Sequence, residues 1–312
     1  MSVSASAKAL DIAVLMGGPS AEREVSLVSG AAVAGALREL GHRVREIDVG
    51  HDIGAVIAAL DLRPDVAFNA LHGRYGEDGC IQGVLEFLEI PYTHSGVLAS
   101  ALAMDKPTAR RLFAETGLRC AEGRVAHRRE VMEGRVMDPP YVVKPLNEGS
   151  SVGVHIVTGG DNGPPRDEEW TFGEQVLVER YIPGREIQVA VLGERALGAI
   201  EIRPLGRFYD YEAKYTAGKA EHLMPAPLTE ADYREALELG RKAHMTLGCR
   251  GVSRTDLRFD DTGGGPGLFY VLEVNTQPGM TPLSLVPEIA AHSGIGFAEL
   301  VAWMVEDASC PR

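Results

Sequence analysis

The sequence predicts a chain of mixed α/β and α+β class, with a parallel sheet first and antiparallel hairpins after it. Three observations predict this. Between Asp11 and Thr93, short apolar runs alternate with helical patterns, as they do when crossover helices join parallel strands. From Tyr141 to Leu192, β-rich runs are separated by Gly/Pro turns, the pattern of hairpins. Near the end, Gly251–Phe259 and Phe269–Asn275 flank the turn-rich Asp260-Asp-Thr-Gly-Gly-Gly-Pro-Gly267, so these two strands should pair antiparallel.

The N-terminal elements follow in order. Asp11–Met16 is a buried strand that ends in the tight turn Gly17-Gly18-Pro19-Ser20, and a helix then runs to about Leu40. Ser20 is a plausible N-cap, and Glu22 and Glu24 complement the positive helix end. Val44–Ile47 is a strand, Ile53–Leu60 a helix, Val66–Ala70 a strand, Ile81–Leu88 a helix and Ile90–Thr93 a short strand. Parallel sheets present ligand groups at the carboxyl ends of their strands. Three clusters fall there: Gly17–Ser26, Leu71-His-Gly-Arg-Tyr-Gly-Glu-Asp-Gly79 and Thr93–Gly96. None has G-x-G-x-x-G spacing, and G-x-x-x-x-G-K-[ST] is absent, which disfavours a dinucleotide oxidoreductase and a P-loop enzyme.

Pro107 fits the first turn of a new helix, which places Lys106 at its N-terminal edge and begins a smaller domain. In isolation, such a lysine is usually solvated. Lys144 lies in the apolar strand Tyr141–Pro145, followed by the loop Leu146–Gly153, which contains Ser150, and the strand Val154–Val157. A Gly/Ser loop between strands is either a plain turn or a cover for phosphates, to which it offers N–H groups and hydroxyls. Residues 158–169 read as a surface connection. Gln175–Glu179, the turn Arg180–Glu186 and Ile187–Leu192 form a hairpin. Phe208–Tyr215 is an aromatic run leading into a loop. Thr229–Gly248 is the clearest helix, opened by Thr229-x-x-Asp232 as in a capping box and closed by Gly248. Pro282–Val286 opens the final helices, with Ser284 as a plausible N-cap.

On the strand Phe269–Asn275, two-residue alternation puts Phe269, Val271, Glu273 and Asn275 on one face and Tyr270, Leu272 and Val274 on the other. Both faces are mainly apolar, the signature of a strand buried on both sides. A carboxylate there needs a cation; for Glu273 alone, a metal and a buried arginine serve equally. Arg254 and Asp256 share a face of the neighbouring strand, so Asp256 can lie beside Glu273 and Asn275. Three oxygen ligands and one arginine then converge, an arrangement suited to Mg²⁺ and phosphoryl transfer.

Arg254-x-Asp256 followed by Glu273-x-Asn275-Thr-x-Pro-Gly-Met280 resembles the ATP-grasp metal site in the form found in D-alanine–D-alanine ligases. Gly17-Gly-Pro-Ser-Ala-Glu-Arg-Glu-Val-Ser26 resembles the opening motif of those ligases, and Phe208–Glu221 their ω-loop. The resemblance runs from about Asp11 to Val305, with its motifs in the family's order. It implies an ATP-grasp chain with an N-terminal parallel α/β domain over 1–105, a small central α+β domain over 106–188 and a C-terminal α+β domain over 189–312 with a mainly antiparallel sheet. It implies ATP and two Mg²⁺ (or Mn²⁺) as cofactors, with Asp256, Glu273 and Asn275 as metal ligands. Glu22 and His72 would serve the first D-alanine, Ser284 and the Leu285 N–H the carboxylate of the second. Lys106, Lys144 and Lys214 would hold phosphates, backbone groups from Glu179 through Arg180, Tyr181 and Ile182 the adenine, and Glu186 the ribose. Ser150 and Tyr215 would close a lid toward Glu22, and Arg254 and the Gly279 N–H would stabilise the oxyanion. Gln277 occupies a variable slot that gives no reading.

A net charge of −13 argues against nucleic acid or an anionic membrane as partner. Cys80, Cys120, Cys249 and Cys310 are scattered, as expected of reduced thiols in a cytoplasmic protein. No signal peptide is read at the N-terminus, and no apolar run approaches the ~18 residues of a membrane span. The expected partner is D-alanine, and family members are usually homodimers. Two alternatives share these residues: an ATP-grasp ligase acting on another amino or hydroxy acid, and a nucleotide-binding regulatory protein without turnover.

Overall fold

The computed structural model describes residues 8–147, 149, 153–160, 162–165, 170, 173–204 and 220–312. The chain opens with β1 (Asp11–Gly17), α1 (Arg23–Glu39), β2 (Arg43–Val49), α2 (Ile53–Leu60), β3 (Val66–Asn69) and α3 (Cys80–Phe87). The strands form a parallel sheet in the order β2-β1-β3. On β1, Ile12, Val14 and Met16 face the core beneath α1, while Ala13 and Leu15 join a second core with Val56 and Leu85. The strand is thus buried on both faces, as its unbroken apolar run requires.

Two local expectations here are corrected. Ser20 is not the N-cap of α1: the cap position is Glu22, without a side-chain capping bond. The Ser20 hydroxyl instead donates to the His72 carbonyl at 2.7 Å and accepts from the Glu22 N–H at 3.2 Å, tying two strand-end loops together. Ile90–Thr93 is not a strand. Tyr92 makes isolated bridges to Ala67 and Ser309, because a single residue reaches the sheet edge between turns.

A helix the sequence reading left out, α4 (Val97–Met104), precedes α5 (Lys106–Glu115). Asp105 caps α5 by accepting from the Thr108 N–H at 2.9 Å. Next come β4 (Gly123–His127), α6 (Arg128–Met132), β5 (Tyr141–Pro145), β6 (His155–Val157) and β7 (Gln175–Arg180). These strands make an antiparallel sheet in the order β4-β7-β5-β6 over a small core of Val131, Tyr141, Val143, Val176 and Val178.

The last sheet has the order β10-β9-β8-β11-β12, from β8 (Arg185–Leu192), β9 (Arg195–Pro204), β10 (Ala220–Leu223), β11 (Val252–Asp260) and β12 (Leu268–Asn275). All its pairings are antiparallel. One face packs α4, α5 and α7 (Glu230–Thr246) through Phe113, Ile187, Val189, Ala236 and Leu257. The other shares a core with α1, α8 (Leu285–His292) and α9 (Phe297–Glu306) through Ala190, Ile200, Val286 and Leu300. That shared core fixes the antiparallel sheet against the parallel one. No single described helix is long and apolar enough to cross a membrane, and the four cysteines are free thiols.

Candidate active site

The site is built on the β11–β12 hairpin, and here the expected strand face is wrong. Asp256 pairs with Glu273, but Leu257 pairs with Val271, so Leu272 has no partner on β11. This extra residue is a β-bulge, which shifts two-residue alternation by one. Phe269, Val271 and Val274 therefore share the buried face under α7. Glu273 and Asn275 turn to the opposite face, directly across from Asp256 and Arg254. Nor is the strand buried on both sides: it is the sheet's edge, with Tyr270 and Leu272 half-buried and Leu268 exposed.

Arg254, Glu273, Asn275, Thr276 and Gly279 line one wall of a cleft that Glu22, His72 and Glu77 line from the parallel sheet, with Lys106 and Gly149 between. Arg254 grips Asp256 as a fork, Nε to Oδ1 at 2.7 Å and Nη2 to Oδ2 at 2.9 Å. Lys106 Nζ lies 3.8 Å from Glu273 Oε2. Lys144 Nζ lies 2.7 Å from Glu179 Oε2, and Arg110 pairs with the same carboxylate. Burial pushes Lys144 down to about 8, with Lys106 and Arg110 adding to it and Glu273 opposing. These cations neutralise the carboxylates in the structure and are spaced along a surface that polyphosphate would take up.

Among the described residues, no group of three or more His, Cys, Asp or Glu gathers in metal-ligand geometry. The expected set is two carboxylates and the Asn275 amide, all oxygen donors. Gln188 pairs with Asp256 across β8 and β11, and its buried Oε1 has no hydrogen-bond partner. A hard divalent cation suits that chemistry.

At the other end, Glu22 is 7 % and Glu77 8 % exposed. A methyl group at Gly149 would sit 3.0 Å from Glu77 Oε1 and 3.1 Å from Glu22 Oε2, so the backbone lies close against both carboxyls and any side chain there would crowd them. Burial, then the charges of Glu22 and Glu273, push Glu77 well above the usual carboxylate range. His72 is buried, with Nδ1 3.1 Å from the Gln277 carbonyl and Nε2 3.3 Å from Ser29 Oγ. Burial holds its imidazole down to about 4, so the ring is neutral at physiological pH.

Ser284 occupies the N-cap position of α8 but makes no capping bond. Its Oγ accepts from the Thr281 N–H at 2.9 Å and stands 2.8 Å from where a Gly279 Cβ would be. The first turn of α8, beginning at Leu285, thus opens beside Gly279. The hinge residues also gather: Tyr181 N–H bonds the Pro140 carbonyl, the Ile182 carbonyl accepts from Arg258, and Arg258 lies 3.9 Å from Glu186. The Arg180 side chain points to Glu122 at 3.2 Å, away from this group. Ser150, Lys214 and Tyr215 lie outside the described residues.

The structure brings in residues the sequence reading did not use. Arg110 stands one turn after Lys106 on α5, a spacing of four that could have revealed it. Glu77 sat in a cluster already singled out by its position at a strand end. Gln277 carried no signal at all.

The family model described as D-ala D-ala ligase C-terminus matches residues 120–306, and that described as D-ala D-ala ligase N-terminus matches residues 54–95. A D-alanine–D-alanine ligase of Methylobacterium radiotolerans is 60% identical over 305 residues, covering 96% of this chain and 99% of the relative. One from Parvibaculum lavamentivorans is 58% identical over 308 residues, covering 98% and 99%. Among solved structures, D-alanine–D-alanine ligase from Bacillus anthracis complexed with ATP superposes with a TM-score of 0.80 at 31% identity, covering 96% of this chain and 97% of that one. VanG D-Ala:D-Ser ligase from Enterococcus faecalis gives 0.78 at 26%, covering 96% and 99%.

Proposed function

This chain belongs to the D-alanine–D-alanine ligase family, and from that membership we propose that it joins two D-alanines at the expense of ATP, making the dipeptide for peptidoglycan precursors. The observation that carries the reading is the cleft in which Arg254, held by Asp256, and Glu273 and Asn275 face Glu22 and Glu77.

A carboxylate is a poor electrophile, so the first D-alanine must be phosphorylated. Its ammonium would sit at Glu22 and Glu77, where a cation offsets the burial and the carboxylate repulsion that raise Glu77. Lys106 and Lys144 would bind the polyphosphate, with backbone groups of Glu179–Ile182 on adenine and Glu186 on ribose. Asp256, Glu273 and Asn275 would hold two Mg²⁺ or Mn²⁺, which supply charge neutralisation to the transferring phosphoryl group. The second D-alanine, held by Ser284 and the Leu285 N–H, would then attack the acyl carbon through its neutral amine, with the C–O bond to phosphate breaking, inorganic phosphate leaving and the amine giving up a proton. Arg254 and the Gly279 N–H would stabilise the oxyanion, a role worth ~3–4 kcal/mol per donor. On the resemblance alone we assign Ser150, Lys214 and Tyr215 to closure over the intermediate, which water would otherwise hydrolyse. We keep 1–105, 106–188 and 189–312 as the working units, with β8 running across the second boundary. A cytoplasmic homodimer is proposed on the same ground.

The test is ADP formation by the purified chain with and without D-alanine, with L-alanine, D-serine and D-lactate in parallel arms. D-Alanine-dependent ADP release matched by D-alanyl-D-alanine supports the reading. ADP release indifferent to D-alanine, or a product made only from another acid, overturns it.

A further inference from the structure

The loop after β12 carries a residue that the chemistry above leaves unused. Gln277 is 1 % exposed. Its N–H donates to Asn275 Oδ1 at 2.7 Å, its side-chain amide donates to the Asn69 carbonyl, and its own carbonyl stands 3.1 Å from His72 Nδ1. The contacts continue from the imidazole. His72 Nε2 is 3.3 Å from Ser29 Oγ, and Ser29 Oγ is 3.2 Å from the Met280 N–H.

The hydrogens in this circuit follow from chemistry. A carbonyl only accepts, so His72 Nδ1 carries the proton. A backbone N–H only donates, so Ser29 Oγ accepts from Met280 and gives its own hydrogen to Nε2. Every donor then meets one acceptor. The result is a closed ring running from Gln277 to His72, to Ser29, to Met280 and back along the chain, with Gly279 inside it. Both imidazole nitrogens are engaged in this ring.

We propose that Gln277 is a positioning residue that, through His72 and Ser29, locks the Gly279 segment and Asn275 in register with the first-substrate end of the cleft. The proposal rests on the ligase reading for its consequence and on the ring for its geometry. Asn69 ends β3, and its own side chain is held by the Gly76 carbonyl and the Leu71 N–H. The Gln277 amide therefore anchors the loop to the rigid edge of the parallel sheet. The amine must capture the acyl phosphate before water does, and a displacement of ~1 Å costs about 10²-fold in such a step. Loosening the loop should therefore uncouple ATP use from dipeptide formation before it affects ATP binding.

The experiment uses the full chain with Gln277→Leu, Gln277→Glu and Ser29→Ala, measuring ADP and dipeptide in the same samples. In each variant, ADP per dipeptide should rise about threefold or more. The acceptor D-alanine KM should rise roughly tenfold, while the ATP KM stays within about twofold. Gln277→Leu removes the anchor on Asn69 and Ser29→Ala opens the ring; because both hold the same Gly279 segment, the double variant should fall short of the product of the two single effects. Losses proportional to the unfolded fraction, with the ADP ratio and KM values unchanged, would overturn the proposal; should Gln277→Leu fail to fold, Gln277→Glu carries the test of the anchor and Ser29→Ala that of the ring. A separate arm reads the ring without catalysis: nitrogen NMR of His72 should show the Nδ1–H tautomer at neutral pH, and the Nε2–H tautomer or an imidazolium would overturn it. A wild-type chain that makes no dipeptide would remove the ligase reading, and the NMR arm would still decide the ring.

Discussion

The three-stranded parallel sheet and the five-stranded antiparallel sheet supply opposite walls of one cleft, and they do so by different geometry. In the parallel unit no strand side chain lines the cleft: Glu22, His72 and Glu77 all sit on loops or helix starts beyond the carboxyl ends of β1 and β3. In the antiparallel unit the working groups stand on the strands, with Arg254 and Asp256 on β11 and Glu273 and Asn275 on β12. A loop residue is aimed by its local backbone. A strand residue is aimed by parity, and one inserted residue reverses it. The strand wall is therefore the more rigid of the two and the more vulnerable to a change in register.

Inserting one residue between Asp256 and Leu257, opposite Leu272, tests that contrast most severely. With Leu272 given a partner, regular alternation puts Glu273 and Asn275 on the side of Phe269 and Val271, under α7. Burying a carboxylate there costs several kcal/mol, so ligation should be lost and the melting temperature should drop sharply in a thermal scan. An insertion variant that keeps its activity would show that the following loop, and not strand parity, aims Glu273. Glu273→Gln is the next largest effect and leaves the register intact. It should lower dipeptide synthesis by roughly 10³-fold, ~4 kcal/mol, with melting close to wild type; near-normal turnover would remove Glu273 from the metal set. Glu22→Gln, on the loop wall, should act more mildly. Losing one charge-assisted contact should raise the first D-alanine KM by about 10- to 10²-fold, with the ATP KM little changed.

The contrast also explains what the sequence disclosed. Loop groups announce themselves by residue type at a strand end, so Glu22, His72 and the Leu71–Gly79 cluster were legible from short motifs. The partnership of Asp256 with Glu273 was legible too, because a Gly-rich turn between two β-rich runs fixes the pairing. The face was not. Phe269-Tyr-Val-Leu-Glu-Val-Asn275 reads as plain alternation, and nothing in it marks Leu272 as unpaired, since a bulge is settled by packing Val274 against the core. Ser20 misled for a related reason: its hydroxyl is a good cap in isolation, but the His72 carbonyl from a distant loop claims it. Gln277 was illegible because its role lies entirely in contacts with Asn69 and His72, about two hundred positions away.

The smallest effect concerns the back of the antiparallel wall, which parity reserves for packing. His244 on α7 is 1 % exposed, and its Nδ1 lies 2.7 Å from the Ser253 hydroxyl on β11. Burial holds its imidazole down to about 4, while a hydrogen bond to the Cys249 backbone and the charge of Asp307 pull the other way. A histidine depressed on folding takes up its proton more readily in the unfolded chain. The stability it protects is therefore whole above about pH 6.5 and is lost as pH falls toward 4. Between pH 7 and 5 that loss should be about 2 kcal/mol. His244→Gln should flatten the acid limb of a melting-temperature profile and leave both D-alanine KM values in place. A profile that keeps its slope in the variant would assign the acid loss to other groups. A shifted KM would mean that the back face of β11 reaches the cleft after all, and the division of labour between the two faces would fail.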